Sequence, residues 1–135
     1  MKIVVSPNPY RDKQFKNARQ ACSILREAGA EVALCLPFDV DKTFEIPHDL
    51  RFQDIQKEIK TADMLICFGG DGTILHSSKI ATEHNLPILG VNIGTMGFIA
   101  ELESGEIELL RRIPKGEYTV EERTMLDVSV GNGRQ

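Results

Sequence analysis

The reading of the fold turns on DMLICFGGDGTILHSSK, Asp63 to Lys79. Met64, Leu65, Ile66, Cys67 and Phe68 are apolar without polar alternation, the pattern of a strand covered on both faces of a parallel sheet. Gly69, Gly70 and Gly72 then break the run. Glycine reaches backbone angles closed to residues with a Cβ and lets a ligand approach the main chain. The segment that follows suits a helix, so the stretch reads strand, turn, helix. Asp71 then stands between two glycines where the carboxyl edge of a sheet meets a helix N-terminus, the edge at which open α/β sheets bind ligands.

Asp71-Gly72 is also a hairpin signal, but Leu75 to Lys79 lack the period-2 alternation of a returning strand. A dinucleotide fingerprint needs a third glycine where Leu75 stands, which disfavours a Rossmann-type dehydrogenase. A GxxxxGK[ST] phosphate loop is absent. Phosphate would therefore be met by the uncapped amides and dipole of a helix N-terminus. An added Cβ at Gly72 is expected to block the turn, lowering both folding yield and nucleotide binding.

A second glycine-rich passage follows, Leu86-Pro87-Ile88-Leu89-Gly90 and then Val91-Asn92-Ile93-Gly94-Thr95-Met96-Gly97-Phe98. Ile88 to Val91 read as another buried strand, and neighbouring parallel strands would bring Gly94 and Gly97 beside Asp71. Taken with Gly69-Gly70-Asp71-Gly72-Thr73, this passage resembles the N-terminal domain of bacterial NAD kinases. The GGDG turn alone is shared with diacylglycerol and sphingosine-type lipid kinases and, in variant form, with 6-phosphofructokinases. Lipid kinases place Asn-Glu directly after the turn, where Ile74-Leu75 stand here.

Outward from the centre, Lys2 to Ser6 form a first strand ended by Pro7-Asn8-Pro9. Asn8 to Arg11 form a loop on the same sheet edge as the glycine turn, where Asn8 or Arg11 could touch ligand, although an ordinary loop is the favoured reading. Phe15, Ala18, Cys22 and Leu25 recur at helical spacing between Lys13 and Ala28, and Gly29 supplies the stop. Glu31 to Leu36 are a second strand, 37–49 a surface connection, and Arg51 to Lys60 a short helix with Phe52, Ile55 and Ile59 inward. After the turn, Thr73 to His84 form a helix with a small face of Ile74, Ser77, Ser78 and Ala81. Ser104 is the expected N-cap of a helix from Gly105 to Ile113 that buries Ile107, Leu110 and Ile113. Alternation of Leu126, Val128 and Val130 with Asp127 and Ser129 then marks a half-exposed antiparallel strand.

The 135 residues suffice for one domain with a substantial core. A formal net charge of −4 with scattered basic residues gives no footprint for nucleic acid or an anionic membrane. No leader and no apolar run of spanning length is expected, which places the protein in the cytoplasm. Cys22, Cys35 and Cys67 show no metal-ligand spacing and read as buried small hydrophobes. No protein metal site is expected.

The resemblance implies an α/β fold: a Rossmann-like three-layer domain with a mostly parallel sheet over residues 1–115. Residues 116–135 would lead into a β-rich C-terminal domain whose Asn-Glu or Asn-Asp motif binds the adenosine ribose, so that half the active site would be missing from this chain. The implied reaction moves the γ-phosphoryl group of ATP to the 2′-hydroxyl of the adenosine ribose of NAD, giving NADP, with Mg²⁺ or another divalent cation. Asp71 would be the catalytic base, and Gly69, Gly70, Asp71, Gly72, Thr73, Leu75, His76 and Phe98 would bind nucleotide. On the sequence alone His76 serves equally as a surface histidine, and Phe98 as a core anchor. The resemblance also suggests a homo-oligomer for the full-length protein. A lipid or sugar kinase sharing the turn, or a non-catalytic nucleotide-binding fragment, stands as the alternative.

Overall fold

Aliphatic runs without polar alternation become the inner strands of one sheet. The computed structural model describes residues 1–94, 100–122 and 126–130. In chain order the elements are β1 (Lys2–Pro7), α1 (Lys16–Glu27), β2 (Glu31–Leu34), α2 (Ile55–Glu58), β3 (Met64–Gly69), α3 (Asp71–Glu83), β4 (Ile88–Asn92), β5 (Leu102–Glu103), β6 (Thr119–Glu122) and β7 (Leu126–Ser129). Short 3-10 segments span Lys13–Phe15, Ile59–Thr61 and Ser104–Arg112. The sheet order is β2-β1-β3-β4-β7-β6, parallel throughout except for the β6–β7 pair. β5 runs parallel to the end of β4, with Val91 opposite Leu102, while β7 meets its start, with Ile88 opposite Asp127.

Alternate strand residues feed two cores. Ile3, Val5, Met64, Ile66, Phe68, Leu89 and Val91 pack with Ala18, Ala21 and Leu25 of α1 and with Ile107 and Leu110. Val4, Leu65, Cys67 and Ile88 face the other way, against Ile55, Ile59, Ile74, Ile80 and Ala81. The result is three layers, helix, sheet and helix, as continuous apolar strands require. The small face of α3 allows close approach: a Cβ on Gly90 would stand 2.8 Å from Ile74 Cδ1.

Local chemistry shifts several boundaries from those expected. The helix sought over Arg51 to Lys60 starts only at Ile55, because Asp54 Oδ1 caps it by accepting from Gln56 N at 3.1 Å. Just before it, Gln53 N bonds Leu34 O at 2.8 Å and Gln53 bridges Cys35, which keeps that segment extended. The C-terminal helix is of 3-10 type, capped by Glu103 in a reciprocal box with Glu106 and not by Ser104. The hairpin reading of the Asp71-Gly72 turn is excluded, since the chain enters α3 at Asp71 itself. That helix ends in a Schellman motif with Asn85 at φ +50 and Leu86 N donating to Ala81 O at 2.8 Å. The alternating strand at 126–130 pairs antiparallel with β6 as expected and, through Asp127, also extends the parallel sheet.

Candidate functional site

With strand order 2-1-3-4, the chain turns outward from β1 in one direction and from β3 in the other. The crevice between the carboxyl ends of β1 and β3 is thus the switch point at which such sheets bind ligands. Asn8 N bonds Phe68 O at 2.8 Å, closing the β1 exit onto β3, and Ile93 N bonds Gly69 O at 3.1 Å, closing the β4 exit onto it from the other side. Gly70 is the N-cap of α3 and makes no side-chain capping bond. Ile74 N is bonded to Gly70 O at 3.1 Å, so the amide ends of the first turn lie ahead of the helix's own bonding pattern.

The glycines of the turn serve space more than angle. Of the described glycines only Gly29, Gly94 and Gly116 have left-handed backbone; Gly69, Gly70 and Gly72 do not. A Cβ on Gly69 would come to 2.7 Å from Thr73 Cβ and Oγ1, a clash. A Cβ on Gly72 meets nothing within 4 Å. The expectation that a methyl there blocks the turn is therefore corrected: position 72 is an exposed site in the first turn of a helix.

The residues singled out in the sequence divide accordingly. Gly69 to Thr73 are contiguous at the crevice, with Asp71 half-buried as the first residue of α3. Thr73 is buried and its hydroxyl accepts from Asn8 Nδ2 at 2.8 Å. Leu75, one turn on, is 51% exposed. His76 turns towards the exit of β2, where its Nε2 lies 3.0 Å from Pro37 O and its ring meets Phe38 edge-on at 6.2 Å. Phe98 lies outside the described residues.

Two residues of the β1–α1 loop, for which an ordinary loop was the favoured reading, stand at the site. Asn8 ties the loop to α3 through Thr73. Arg11 reaches across, so that a Cβ on Gly70 would stand 3.8 Å from its Cζ and one on Gly94 3.5 Å from its Nη1. The position of that loop on the shared edge was readable from the sequence; the reach of the side chain was not.

Thiol chemistry is not available here. Burial pushes the Cys67 thiol up to about 12. Burial, helped by the carboxylates of Glu58 and Asp54, does the same to Cys35, to about 12, and burial takes Cys22 to about 11. Thiols held protonated are poor nucleophiles. Asp71 is the carboxylate at the crevice.

Comparison with known proteins decides the family. Residues 2–118 match the model of the ATP-NAD kinase N-terminal domain. The chain belongs to the ATP-NAD kinase family. It is 32% identical over 133 residues to an NAD kinase of Corynebacterium diphtheriae, covering 96% of this chain and 42% of that protein. It is 32% identical over 130 residues to an NAD kinase of Bacteroides fragilis, covering 95% and 45%. An NAD kinase of Natranaerobius thermophilus is 43% identical over 83 residues, 61% of this chain and 28% of its own. This ATP-NAD kinase domain thus spans less than half the length of the curated relatives it matches. Among its described residues no helix is long and apolar enough to cross a membrane, and no three His, Cys, Asp or Glu side chains gather to hold a metal ion.

Proposed function

We propose that the protein carrying this domain is an NAD kinase, which transfers the γ-phosphoryl group of ATP to the 2′-hydroxyl of the adenosine ribose of NAD and releases NADP. The observation that carries the reading is the position of Asp71. Its carboxylate heads α3 at the switch-point crevice, half-buried, in a chain whose family model covers residues 2–118. A carboxylate is a weak base towards an alcohol, but phosphoryl transfer passes through a loose transition state in which the nucleophile needs orientation more than early deprotonation. Asp71 would orient the ribose hydroxyl and take its proton.

The first-turn amides of α3, from Gly70 to Thr73, would bind phosphate oxygens, aided by the helix dipole. Leu75 offers an apolar surface one turn along, and His76 and Phe98 complete the nucleotide-binding set proposed from the family pattern. A divalent cation such as Mg²⁺ would arrive with the triphosphate. Phosphate-borne Mg²⁺ needs only one or two protein carboxylates, which fits a crevice whose described residues form no acidic cluster.

Residues 1–115 would be the nucleotide-binding domain and 116–135 the lead-in to a β-rich second domain that completes the ribose site. The coverage of 42% and 45% of the first two relatives supports that division. A cytoplasmic homo-oligomer is the proposed state of the full-length protein.

The test is NADP formation by the full-length protein from NAD, ATP and Mg²⁺. Asp71→Asn should lower turnover on the order of 10²- to 10⁴-fold, the range for loss of a general base, with NAD affinity little changed. Wild-type turnover in that variant would remove Asp71 from the reaction. Phosphorylation of sphingosine, diacylglycerol or fructose 6-phosphate in place of NAD would replace the acceptor, and no phosphorylation at all would leave a nucleotide-binding module.

A further inference from the structure

Resting on the kinase reading above, we propose that Arg11 holds nucleotide phosphate groups over the amino end of α3. The guanidinium lies where the loops after β3 and β4 open: its Cζ, Nε and Nη2 would be 3.8, 3.9 and 4.0 Å from a Cβ on Gly70, and its Nη1 3.5 Å from one on Gly94. Both neighbours are glycines, so the side chain stands beside bare main chain. A permanently charged planar group with five N–H donors matches phosphate oxygens in geometry as well as in sign. One contact within the protein does not exhaust such a group.

The loop that carries Arg11 is built to hold it in place. Asn8 O accepts Arg11 N at 3.2 Å and Asp12 N at 2.9 Å, while Asn8 Oδ1 accepts Tyr10 N at 2.9 Å. Asp12, 1% exposed, accepts from Asn17 N, Asn17 Nδ2 and Ala18 N at 2.9, 3.0 and 2.9 Å. Gln14 and Phe15 follow in left-handed backbone at φ 57 and 54. Such outliers persist only where their surroundings over-determine them, and they gather at ligand clamps. Residues on both sides of Arg11 are fixed, and the arginine they present lies over the uncapped turn of α3.

Charge supplies the reason for a cation here. The chain carries a formal net charge of −4, so its overall field opposes an incoming polyanion and a local positive group must reverse it at the crevice. The glycine turn itself has no phosphate-loop lysine. The phosphates in question are the triphosphate of the donor or the pyrophosphate of the dinucleotide acceptor, which share one chemistry.

The experiment uses the full-length protein with Arg11→Gln and Arg11→Lys, varying ATP and NAD separately, with thermal unfolding alongside. Arg11→Gln should lower kcat/KM for one nucleotide by about 10²-fold, the scale of a lost donor to developing phosphate charge, at an unchanged melting temperature. Arg11→Lys should restore part of the loss. A loss on the ATP side assigns Arg11 to the triphosphate, and one on the NAD side to the pyrophosphate. Unchanged kcat/KM for both nucleotides in folded Arg11→Gln overturns the proposal. Binding of inorganic tripolyphosphate and of inorganic pyrophosphate, measured by calorimetry, gives a readout independent of turnover: weaker binding of either to Arg11→Gln supports the assignment and equal binding of both overturns it. A wild-type protein that makes no NADP defeats the kinase reading alone, and the calorimetric comparison still decides Arg11.

Discussion

The connections that leave β1 and β3 end at the same edge of the sheet and are made of opposite materials. The β1–α1 connection, residues 8–15, has no glycine, yet it places Gln14 and Phe15 in left-handed backbone. The β3–α3 turn has glycine at 69, 70 and 72 and none of these in that conformation. Glycine in the turn keeps volume clear, for Thr73 at position 69 and for whatever approaches the helix amides at 70. Strain in the loop, of order 1–3 kcal/mol per residue, is offset by the buried Asp12 carboxylate with three N–H donors. Phe15 adds packing, 1% exposed, with its ring centroid 4.9 Å from that of Phe52. Residue type thus reports what a position must leave empty more faithfully than what angle it adopts.

Substitutions can break or sharpen this contrast. The largest effect on stability is expected from Asp12→Ala, which strips two backbone N–H groups of their acceptor and releases the strained pair; about 3 kcal/mol should be lost in chemical denaturation of the full-length protein. A loss under about 1 kcal/mol would mean that Phe15 packing alone holds the loop. Gly69→Ala comes next, at about 2 kcal/mol, since its methyl meets Thr73 at 2.7 Å and one of them must shift. Stability at the wild-type level would show that volume is not the constraint there. Gln14→Gly should stabilise by roughly 0.5 kcal/mol, the relief of left-handed strain exceeding the entropy cost of glycine; destabilisation would mean that the Gln14 side chain does more than tolerate its backbone. Gly72→Ala is the smallest, a gain of at most about 0.5 kcal/mol at an open helical position. Any penalty should then appear in nucleotide affinity, and a folding defect would restore the blocked-turn reading.

The central layer was legible because continuous apolar runs admit few placements. Met64 to Phe68 and Ile88 to Val91 were recognised as strands, and the Phe15, Ala18, Cys22, Leu25 spacing as a helix face, since each pattern depends only on near neighbours. What escaped depends on residues distant in sequence or on side-chain reach. Nothing local distinguishes Glu103 from Ser104 as a cap until Glu106 folds back on it. The contact of the His76 ring nitrogen with a carbonyl 39 positions earlier in the chain was likewise out of reach of any local pattern. A Cβ at Gly72 was expected to block the turn, when of the three turn glycines only Gly69 has the crowding. For the site, the place of Asp71 at a strand-to-helix turn followed from the apolar run and its glycines, whereas the loop of Asn8 and Arg11 was read as more ordinary than the reach of Arg11 towards Gly70 and Gly94 makes it.

Asn8 gives one more result. Its main-chain N–H is bonded to Phe68 O, its amide nitrogen to Thr73, and its amide oxygen to Tyr10 N, so a single residue fastens the exit of β1 to both the end of β3 and the start of α3. The two walls of the crevice are thus tied together at their base, and sliding one past the other would break these bonds. The width of the crevice at its base is set by one asparagine side chain and its main-chain N–H, so the gap a ligand meets is as constant as those bonds.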